Sequence, residues 1–473
     1  MITRRNTTLW TFVITSLALF MTTLDNLVVT MALPTIQRDL HASISGLEWT
    51  VNAYTLTFAV LLLMGAALGD RYGRKRMFLI GMAIFTAGSA AAALAPSIGA
   101  LIAARALQGV GGAIVTPLTL TLLTEAVPRE RRGLALGAWG GISGLGVALG
   151  PLVGGAVVEG ISWQWIFWLN VPLGLAVLPM GLARLRESRG PSLRLDLTGG
   201  AIVTAGAFGL VWGLVRANSQ GWTSPEIVAS LAIGATLLVA FVLWELRTRE
   251  PMLPMRFFRD RTFSAANGAS LLMFFGMFGS IFLLSQYLQN VQGYSPLEAG
   301  VRTLPWTGMP MIVAPIAGAL TDRIGGKPFL VAGLALQAIA LAWMAMVISP
   351  TEPYIDMVVP FALAGVGMGL FFAPVATVVM SSVRLVEAGQ ASGANNAIRE
   401  LGGVFGVAVL ASIFAHQGGY GSPDLFTDGI VPALWVGAAV VGVGVVAALF
   451  LPSRVGARSE AAQPAVDAEP VAA

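Results

Sequence analysis

Long apolar runs separated by short polar segments are the dominant pattern of the chain. A transmembrane helix needs about 20 mostly apolar residues, and fourteen runs of the sequence are close to that length or longer. The pattern therefore predicts an all-α, polytopic membrane protein. The predicted spans are 9–32, 47–68, 77–95, 98–123, 134–157, 163–184, 197–216, 226–245, 263–289, 298–320, 328–348, 354–382, 393–415 and 429–451.

The composition excludes most classes of soluble protein. Of the 473 residues, 56% are hydrophobic and 11% are charged, whereas soluble domains carry about a quarter charged residues. The absence of cysteine excludes disulfides and thiol chemistry. The sequence contains no metal-ligand cluster and no phosphate-binding loop of the Gly-x-x-x-x-Gly-Lys type. We therefore predict a protein that is not an enzyme and holds no cofactor.

Basic residues mark one side of the predicted membrane protein. Arginine or lysine follows every even-numbered span, while the loops of the other side contain only Arg38, Arg216 and Arg302. Because cytoplasmic loops collect basic residues, we expect both termini to be cytoplasmic in a multi-pass protein of the cytoplasmic membrane. The net charge of +4 reports this orientation and does not indicate a nucleic-acid partner.

A short charged turn occurs twice, at 68–75 and at 320–327, with Leu, Asp, Arg, Gly and Lys at matching positions. Glycine permits a tight turn, and aspartate can pair with arginine or accept from a helix N-terminus. We predict that the two turns form a cytoplasmic gate that latches two halves of the molecule. The gate residues are Asp70, Arg71, Gly73 and Arg74 in the first copy and Asp322, Arg323 and Gly325 in the second.

This turn resembles the signature loop of the major facilitator superfamily, although Ala66 stands where that family usually has glycine. The resemblance implies two six-helix bundles around a central cavity, each built of inverted repeats. It implies an N-terminal bundle at 1–190, an inserted helix pair at 191–250 and a C-terminal bundle at 251–452. The polar, Ala- and Pro-rich tail at 453–473 is expected to be disordered.

Two charged residues fall inside predicted spans of the N-terminal half. Asp25 and Arg105 each lie about six residues from the outer end of their span, a depth at which charged residues are usually functional. In neighbouring helices they could form an ion pair that protonation of Asp25 would break. The alternatives are a snorkelling Arg105 and an Asp25 that is satisfied by threonine hydroxyls. Both segments resemble motifs of fourteen-span drug:proton antiporters, in which the Arg105 motif is associated with proton transfer.

The span 134–157 has a strip of glycines around one proline. Gly146, Gly150 and Gly154 are four residues apart and share one helix face, which permits close contact with another helix. Pro151 removes a backbone donor and kinks the helix. Together with Gly155, this seam resembles the antiporter motif of the superfamily, which symporters generally lack. The resemblance favours export over uptake.

A second pair of charged residues is adjacent in the span 393–415. Arg399 and Glu400 lie about 100° apart on a helix and cannot face the same way. We predict that one lines the cavity while the other pairs with a neighbouring helix. Glu400 is a second candidate proton carrier, and a structural salt bridge is the alternative. The segment resembles a family motif in which glutamine is the more usual residue at this position.

Aromatic and methionine side chains, including Phe274 and Phe372, are frequent in the spans 263–289 and 354–382. Such side chains adapt to varied apolar ligands. They indicate an apolar cavity, and packing of these side chains against lipid is the alternative.

Together, the motifs predict a fourteen-span major facilitator antiporter that exports amphipathic, cationic or neutral drug-like or antibiotic compounds in exchange for protons. Asp25 would carry the proton and bind substrate cations, and Arg105 would reset its charge. The expected partners are a small molecule, protons and the bilayer, with a monomer as the functional unit. The alternatives are an uptake symporter of the same fold and a non-transporting membrane scaffold or receptor.

Overall fold

The computed structural model describes residues 4–127, 132–189, 196–383 and 388–452, and their regular structure is helical. The tail predicted at 453–473 lies outside these residues. The helices are α1 (Arg4–Asp39), α2 (Ile44–Tyr72), α3 (Arg74–Ala93), α4 (Ile98–Ala126), α5 (Arg132–Gly160), α6 (Trp165–Trp168), α7 (Asn170–Arg184), α8 (Leu197–Gln220), α9 (Pro225–Arg247), α10 (Arg261–Asn290), α11 (Pro296–Thr307), α12 (Met309–Ile324), α13 (Lys327–Val347), α14 (Tyr354–Ser381), α15 (Ala388–Gln417) and α16 (Pro423–Leu449).

In the described part of the chain, twelve helical segments are long and apolar enough to cross a membrane, and α2, which is bent between Leu62 and Met64, makes a thirteenth. The remaining predicted span, 134–157, coincides with α5, whose segment Leu145–Gly160 is a shorter apolar helix. The structure therefore supports a multi-span membrane protein with twelve or thirteen candidate spans, fewer than the fourteen that the sequence predicts.

Serine side chains begin several helices at the end of the molecule away from the chain termini. Each serine oxygen accepts a hydrogen bond from a backbone N–H three residues further on, which satisfies a donor that the helix itself leaves unpaired. A proline follows directly in three of these helices, where its fixed φ suits the first turn. The capping residues are Ser43, Ser97, Ser224, Ser295 and Ser422.

The helix contacts of α1–α7 repeat in α10–α16. Helix α1 packs on α5 as α10 packs on α15, and α2 packs on α4 as α12 packs on α14. Helix α3 contacts α4 and α7, as α13 contacts α14 and α16. The two sets, here called the N-terminal and C-terminal sets, meet through α2 with α15 and through α5 with α11. Helices α8 and α9 pack on each other, and α8 also contacts α2 and α15, beside the junction.

The two sets are in close contact at the face opposite the one where α1 begins and α16 ends. A methyl group built on Gly155 of α5 would lie 2.7 Å from Cα of Leu297 in α11, and one built on Gly300 would lie 3.0 Å from the Pro151 carbonyl carbon. The backbone N–H of Leu297 also donates to the Glu159 carboxylate at 3.0 Å. The glycines therefore allow two backbones to meet here, which closes this face.

A cavity of about 820 Å³ opens at the other face, here called the terminal face because α1 begins and α16 ends there. Its lining comes from α2, α4, α9 with the segment that follows it, and α15, and includes Asp70, Thr116, Glu245 and Asn396. The structure is therefore open towards the terminal face and closed at the opposite one.

Candidate functional site

Asp25 and Arg105 form an ion pair inside the N-terminal set of helices. Nη1 of Arg105 donates to Oδ2 of Asp25, and the two side chains are 1% and 0% exposed. Helices α1 and α4 are thus neighbours, as the pairing hypothesis required. The snorkelling interpretation of Arg105 is wrong, because its guanidinium lies in the interior and does not reach an interface.

The other carboxylate oxygen of Asp25 is also occupied. Oδ1 accepts from Nδ2 of Asn170 at 2.8 Å and from Nε2 of Gln108 at 3.2 Å. Threonine hydroxyls do not satisfy Asp25, since Thr22 and Thr23 donate to main-chain carbonyls of their own helix. The threonine alternative is therefore wrong, and the carboxylate is held by side chains of α4 and α7.

Arg105 has further partners as well. Besides Asp25, it donates to Oε1 of Gln108 at 2.9 Å and to the carbonyl oxygen of Thr50 at 3.2 Å. The guanidinium carbon lies 4.3 Å from the ring centre of Tyr54, a cation–π distance. Helices α1, α2, α4 and α7 are thus joined by one buried polar network.

The two charges of this network depend on each other. A buried ion pair is held only while both charges are present, and removing one partner leaves an uncompensated charge at a cost of several kcal/mol. Sequence reasoning missed Gln108 and Asn170, although a polar residue inside an apolar span is the signal that could have found them.

Arg399 and Glu400 are placed differently in the C-terminal set. The guanidinium carbon of Arg399 lies 4.3 Å from the ring centre of Phe274 and 5.2 Å from that of Phe372. Its Nη1 donates to Oδ1 of Asn396 at 3.2 Å. Nε of Arg399 and Oε2 of Glu400 are buried without a hydrogen-bond partner. Within the described residues neither side chain forms an ion pair, so the salt bridge considered for Glu400 is not observed.

The glycine seam of α5 has two faces. Methyl groups built on Gly146, Gly150 and Gly154 would lie 2.6–2.9 Å from atoms of α1, which confirms the predicted close helix contact. Gly155 instead faces α11 of the other set, as does the carbonyl of Pro151. The seam thus joins α1 to the closed junction between the sets.

The first charged turn is an ion-paired joint. Gly73 has a φ of 109°, which favours glycine, and lies between α2 and α3. Nη2 of Arg74 lies 2.6 Å from Oδ1 of Asp70, and Nη1 contacts Glu125 at the end of α4. Arg71 is exposed. All these contacts lie within the N-terminal set, in a structure whose sets are apart at this face, and the latch role stays a prediction.

A third acid, Glu187, supports the same joint. Its carboxylate accepts from the backbone N–H groups of Lys75 and Arg76 at 3.0 and 3.1 Å, at the N-terminus of α3, where negative charge is stabilised. A methyl group built on Gly73 would lie 2.8 Å from this carboxylate. Sequence reasoning named neither Glu125 nor Glu187, because both are distant from the turn along the chain.

The second turn keeps the backbone conformation of the first but lacks the arginine that forms its ion pairs. Gly325 has a φ of 84°, as its position in the repeat predicts. Arg323 is exposed, and the side chain of Asp322 lies outside the described residues. Gly326 stands where the first copy has Arg74, and a methyl group there would overlap Val378. Nζ of Lys327 donates to the carbonyl oxygen of Leu449 at 2.7 Å.

A helical membrane protein with two sets of equivalently packed helices, a cavity between them and a buried ion pair has the architecture of a membrane transporter. Residues 15–407 match the family model described as Major Facilitator Superfamily. The chain therefore belongs to the major facilitator superfamily. A solved structure of the peptide transporter POT, 16% identical, has a TM-score of 0.67 over 94% of this chain and 92% of that one, and it shows the fold alone.

Several relatives are named as resistance or export proteins. The tetracenomycin C resistance and export protein of Streptomyces glaucescens is 36% identical over 424 residues, 89% of this chain and 79% of the relative. A multidrug resistance protein of Mycobacterium tuberculosis is 37% identical over 86% of this chain and 76% of its own length. The puromycin resistance protein of Streptomyces alboniger is 35% identical over 96% and 92%. These similarities support drug efflux.

Proposed function

We propose that the protein is a proton-coupled antiporter that exports amphipathic drug-like or antibiotic compounds across the cytoplasmic membrane. It would cross the membrane fourteen times, as two six-helix bundles with the pair α8 and α9 inserted between them. Both termini would be cytoplasmic, so the open terminal face would admit substrate from the cytoplasm. The energy source would be the proton gradient, without a bound cofactor, and one monomer would suffice.

The observation that carries the proposal is the buried Asp25–Arg105 ion pair. When the carrier faces outward, a proton bound by Asp25 would neutralise the carboxylate and leave Arg105 uncompensated in the interior. The cost of that charge, several kcal/mol, would favour a rearrangement of α1 against α4. Release of the proton to the cytoplasm would restore the pair. The two charge states would thus bias the two orientations of the carrier.

Substrate would enter the cavity at the terminal face and leave through the junction that is closed in this structure. The seam at Pro151 and Gly155, which touches α11, would open at that step, while the turn at Asp70 and Arg74 would close the cytoplasmic side. The names of the relatives, which refer to tetracenomycin C, puromycin and multidrug resistance, support a substrate of antibiotic or drug-like character.

The proposal can be tested in everted membrane vesicles from cells that produce the protein. Respiration acidifies the lumen, and we expect the vesicles to accumulate at least one of three probes of different charge, namely ethidium, puromycin and fluorescein. Collapse of the gradient with a protonophore should abolish the accumulation, and vesicles without the protein serve as the control. Gradient-driven depletion from the lumen would instead indicate a symporter. Absence of transport and counterflow for all three probes would contradict the proposal.

A further inference from the structure

Arg399 lies one turn of α15 deeper in the molecule than Asn396, a residue of the cavity that opens at the terminal face. Asn396 lines this cavity, and Arg399 follows it by three residues on the same face of α15. The hydrogen bond from Nη1 of Arg399 to Oδ1 of Asn396 joins the two side chains. A molecule that enters the cavity along α15 therefore meets Asn396 first and the guanidinium next.

The guanidinium is held in place by aromatic rings and not by an acid. Phe274 and Phe372 are stacked on each other with ring centres 5.3 Å apart, and Arg399 lies over both. Stacking fixes the plane of a guanidinium and leaves its edge free to bind a planar pair of oxygens. Within the described residues no carboxylate pairs with Arg399, and its buried Nε has no acceptor. A buried donor without a partner is costly, unless a ligand supplies the acceptor.

Asp25 is not available to a ligand, whereas Glu400 keeps an unpartnered Oε2 as Arg399 keeps an unpartnered Nε. Both oxygens of Asp25 are taken by Arg105, Gln108 and Asn170, and the carboxylate is 0% exposed. Glu400 follows Arg399 in sequence and points about 100° away around the helix, without an ion pair in the described part of the chain. The unpartnered Nε of Arg399 is therefore a donor for an anionic group, and it faces a different direction around α15 from the free oxygen of Glu400.

The geometry points to Arg399 and Asn396 as the recognition site for a carboxylate carried on a conjugated ring system. The carboxylate would bind the free edge of Arg399, and Nδ2 of Asn396, whose Oδ1 is engaged by the arginine, would supply a further donor. The ring system would lie in the apolar part of the cavity. This inference rests on the proposed export function and specifies its substrate class as aromatic amphiphiles with an acidic group, in contrast to the cationic or neutral compounds that the sequence predicts.

Fluorescein and its methyl ester test the inference, because they share the conjugated rings and differ in the carboxylate. Binding of both dyes to the purified full chain in nanodiscs can be measured by fluorescence anisotropy. We expect fluorescein to bind about tenfold or more tightly than the ester, as one hydrogen bond to a charged group would produce. Arg399→Gln should remove this preference and leave the affinity for the ester within about twofold. Arg399→Lys keeps the charge but cannot donate two parallel hydrogen bonds to a carboxylate, so it should give an intermediate preference for fluorescein.

Arg302 provides a control at the closed face, although it also lies 3.9 Å from a carboxylate oxygen of Glu298. Its guanidinium also lies on a ring, 3.7 Å from the centre of Tyr294, and its Nε is also buried without a partner, but it is located in α11 at the closed face. Arg302→Gln should leave the preference for fluorescein unchanged.

Three results would overturn the inference. The first is equal affinity of the wild type for the two dyes, and the second is an unchanged preference for fluorescein in Arg399→Gln. The third is an equal loss of affinity for both dyes in Arg399→Gln and Arg399→Lys, which would indicate a structural role. The vesicle experiment separates this outcome from the proposed function, because gradient-driven transport of ethidium or puromycin would continue if only the substrate class were wrong. Absence of transport together with an Arg399-dependent preference would contradict the export function alone.

Discussion

The two sets of helices have equivalent contacts but treat their buried charges in different ways. In the N-terminal set, Asp25 and Arg105 are paired with each other and with three further groups, so little of their hydrogen-bonding capacity is unused. In the C-terminal set, Arg399 and Glu400 each keep a buried polar atom without a partner. The charges of the first site pair with each other, whereas the second site keeps one unpartnered donor and one unpartnered acceptor.

The repeated turn shows the same difference at the terminal face. Both copies have a glycine with positive φ, at Gly73 and Gly325. In the first copy, however, Arg74 bridges two acids, whereas the second copy has Gly326 at that position and packs closely on Val378. The repeat therefore preserves the backbone turn but not the arginine that bridges the two acids. We infer that the N-terminal set is the more rigid unit and that the C-terminal set supplies the adaptable side of the cavity.

The largest expected effect is on stability. Arg105→Gln should lower the free energy of unfolding by about 3–5 kcal/mol, because it leaves the Asp25 charge buried and unpaired. Arg399→Gln should cost only about 1 kcal/mol, since it removes a cation–π contact and no ion pair. Both variants can be measured by titration with sodium dodecyl sulfate in mixed micelles, using tryptophan fluorescence.

A double variant supplies the control for this prediction. Asp25→Asn combined with Arg105→Gln removes both charges, and we expect it to be more stable than Arg105→Gln alone. Similar losses in Arg105→Gln and Arg399→Gln would show that the two sites do not differ in the way described.

The sequence predicted the first site better than its surroundings. Asp25 and Arg105 could be placed at one depth because helix rise converts residue number into distance. Their partners Gln108 and Asn170 depend on which helices are neighbours, and local patterns do not determine that order. The replacement of Arg74 by Gly326 was visible in the sequence, but its consequence depends on Glu125, which lies at the end of another helix.

The apolar pattern also predicted nearly every helix. Two predicted spans, 163–184 and 298–320, are interrupted, and each forms two helices. Leu169 separates α6 from α7, and Gly308 separates α11 from α12. A hydropathy pattern reflects the length and polarity of an apolar run, and a break of one residue changes neither by much.

The second prediction concerns proton coupling. Asn can replace Asp25 in size but cannot bind and release a proton, so Asp25→Asn should reduce gradient-driven accumulation in everted vesicles to the level of vesicles without the protein. Exchange of labelled substrate without a gradient should persist. Glu400→Gln should retain gradient-driven accumulation, because its buried carboxyl has no ion pair whose breakage could be coupled to movement. The opposite pattern would make Glu400 the proton carrier.

The smallest expected effect is on the turnover rate, and it should differ between the two charged turns. The Asp70–Arg74 pair is 19% and 13% exposed, and partly exposed ion pairs contribute about 1 kcal/mol or less. We therefore expect Asp70→Ala to slow turnover by up to about fivefold, the rate equivalent of that energy, with little change in substrate affinity. Arg323→Ala should have no measurable effect, because this side chain is exposed and the second turn lacks the equivalent of Arg74.

Turnover and affinity can be separated in proteoliposomes by varying the substrate concentration at a fixed pH gradient. A large loss of affinity with normal turnover would place Asp70 in substrate binding and not in the gate. Equal slowing by Arg323→Ala would mean that both turns act in the same step, and the difference between the two sets would then end at their buried charges.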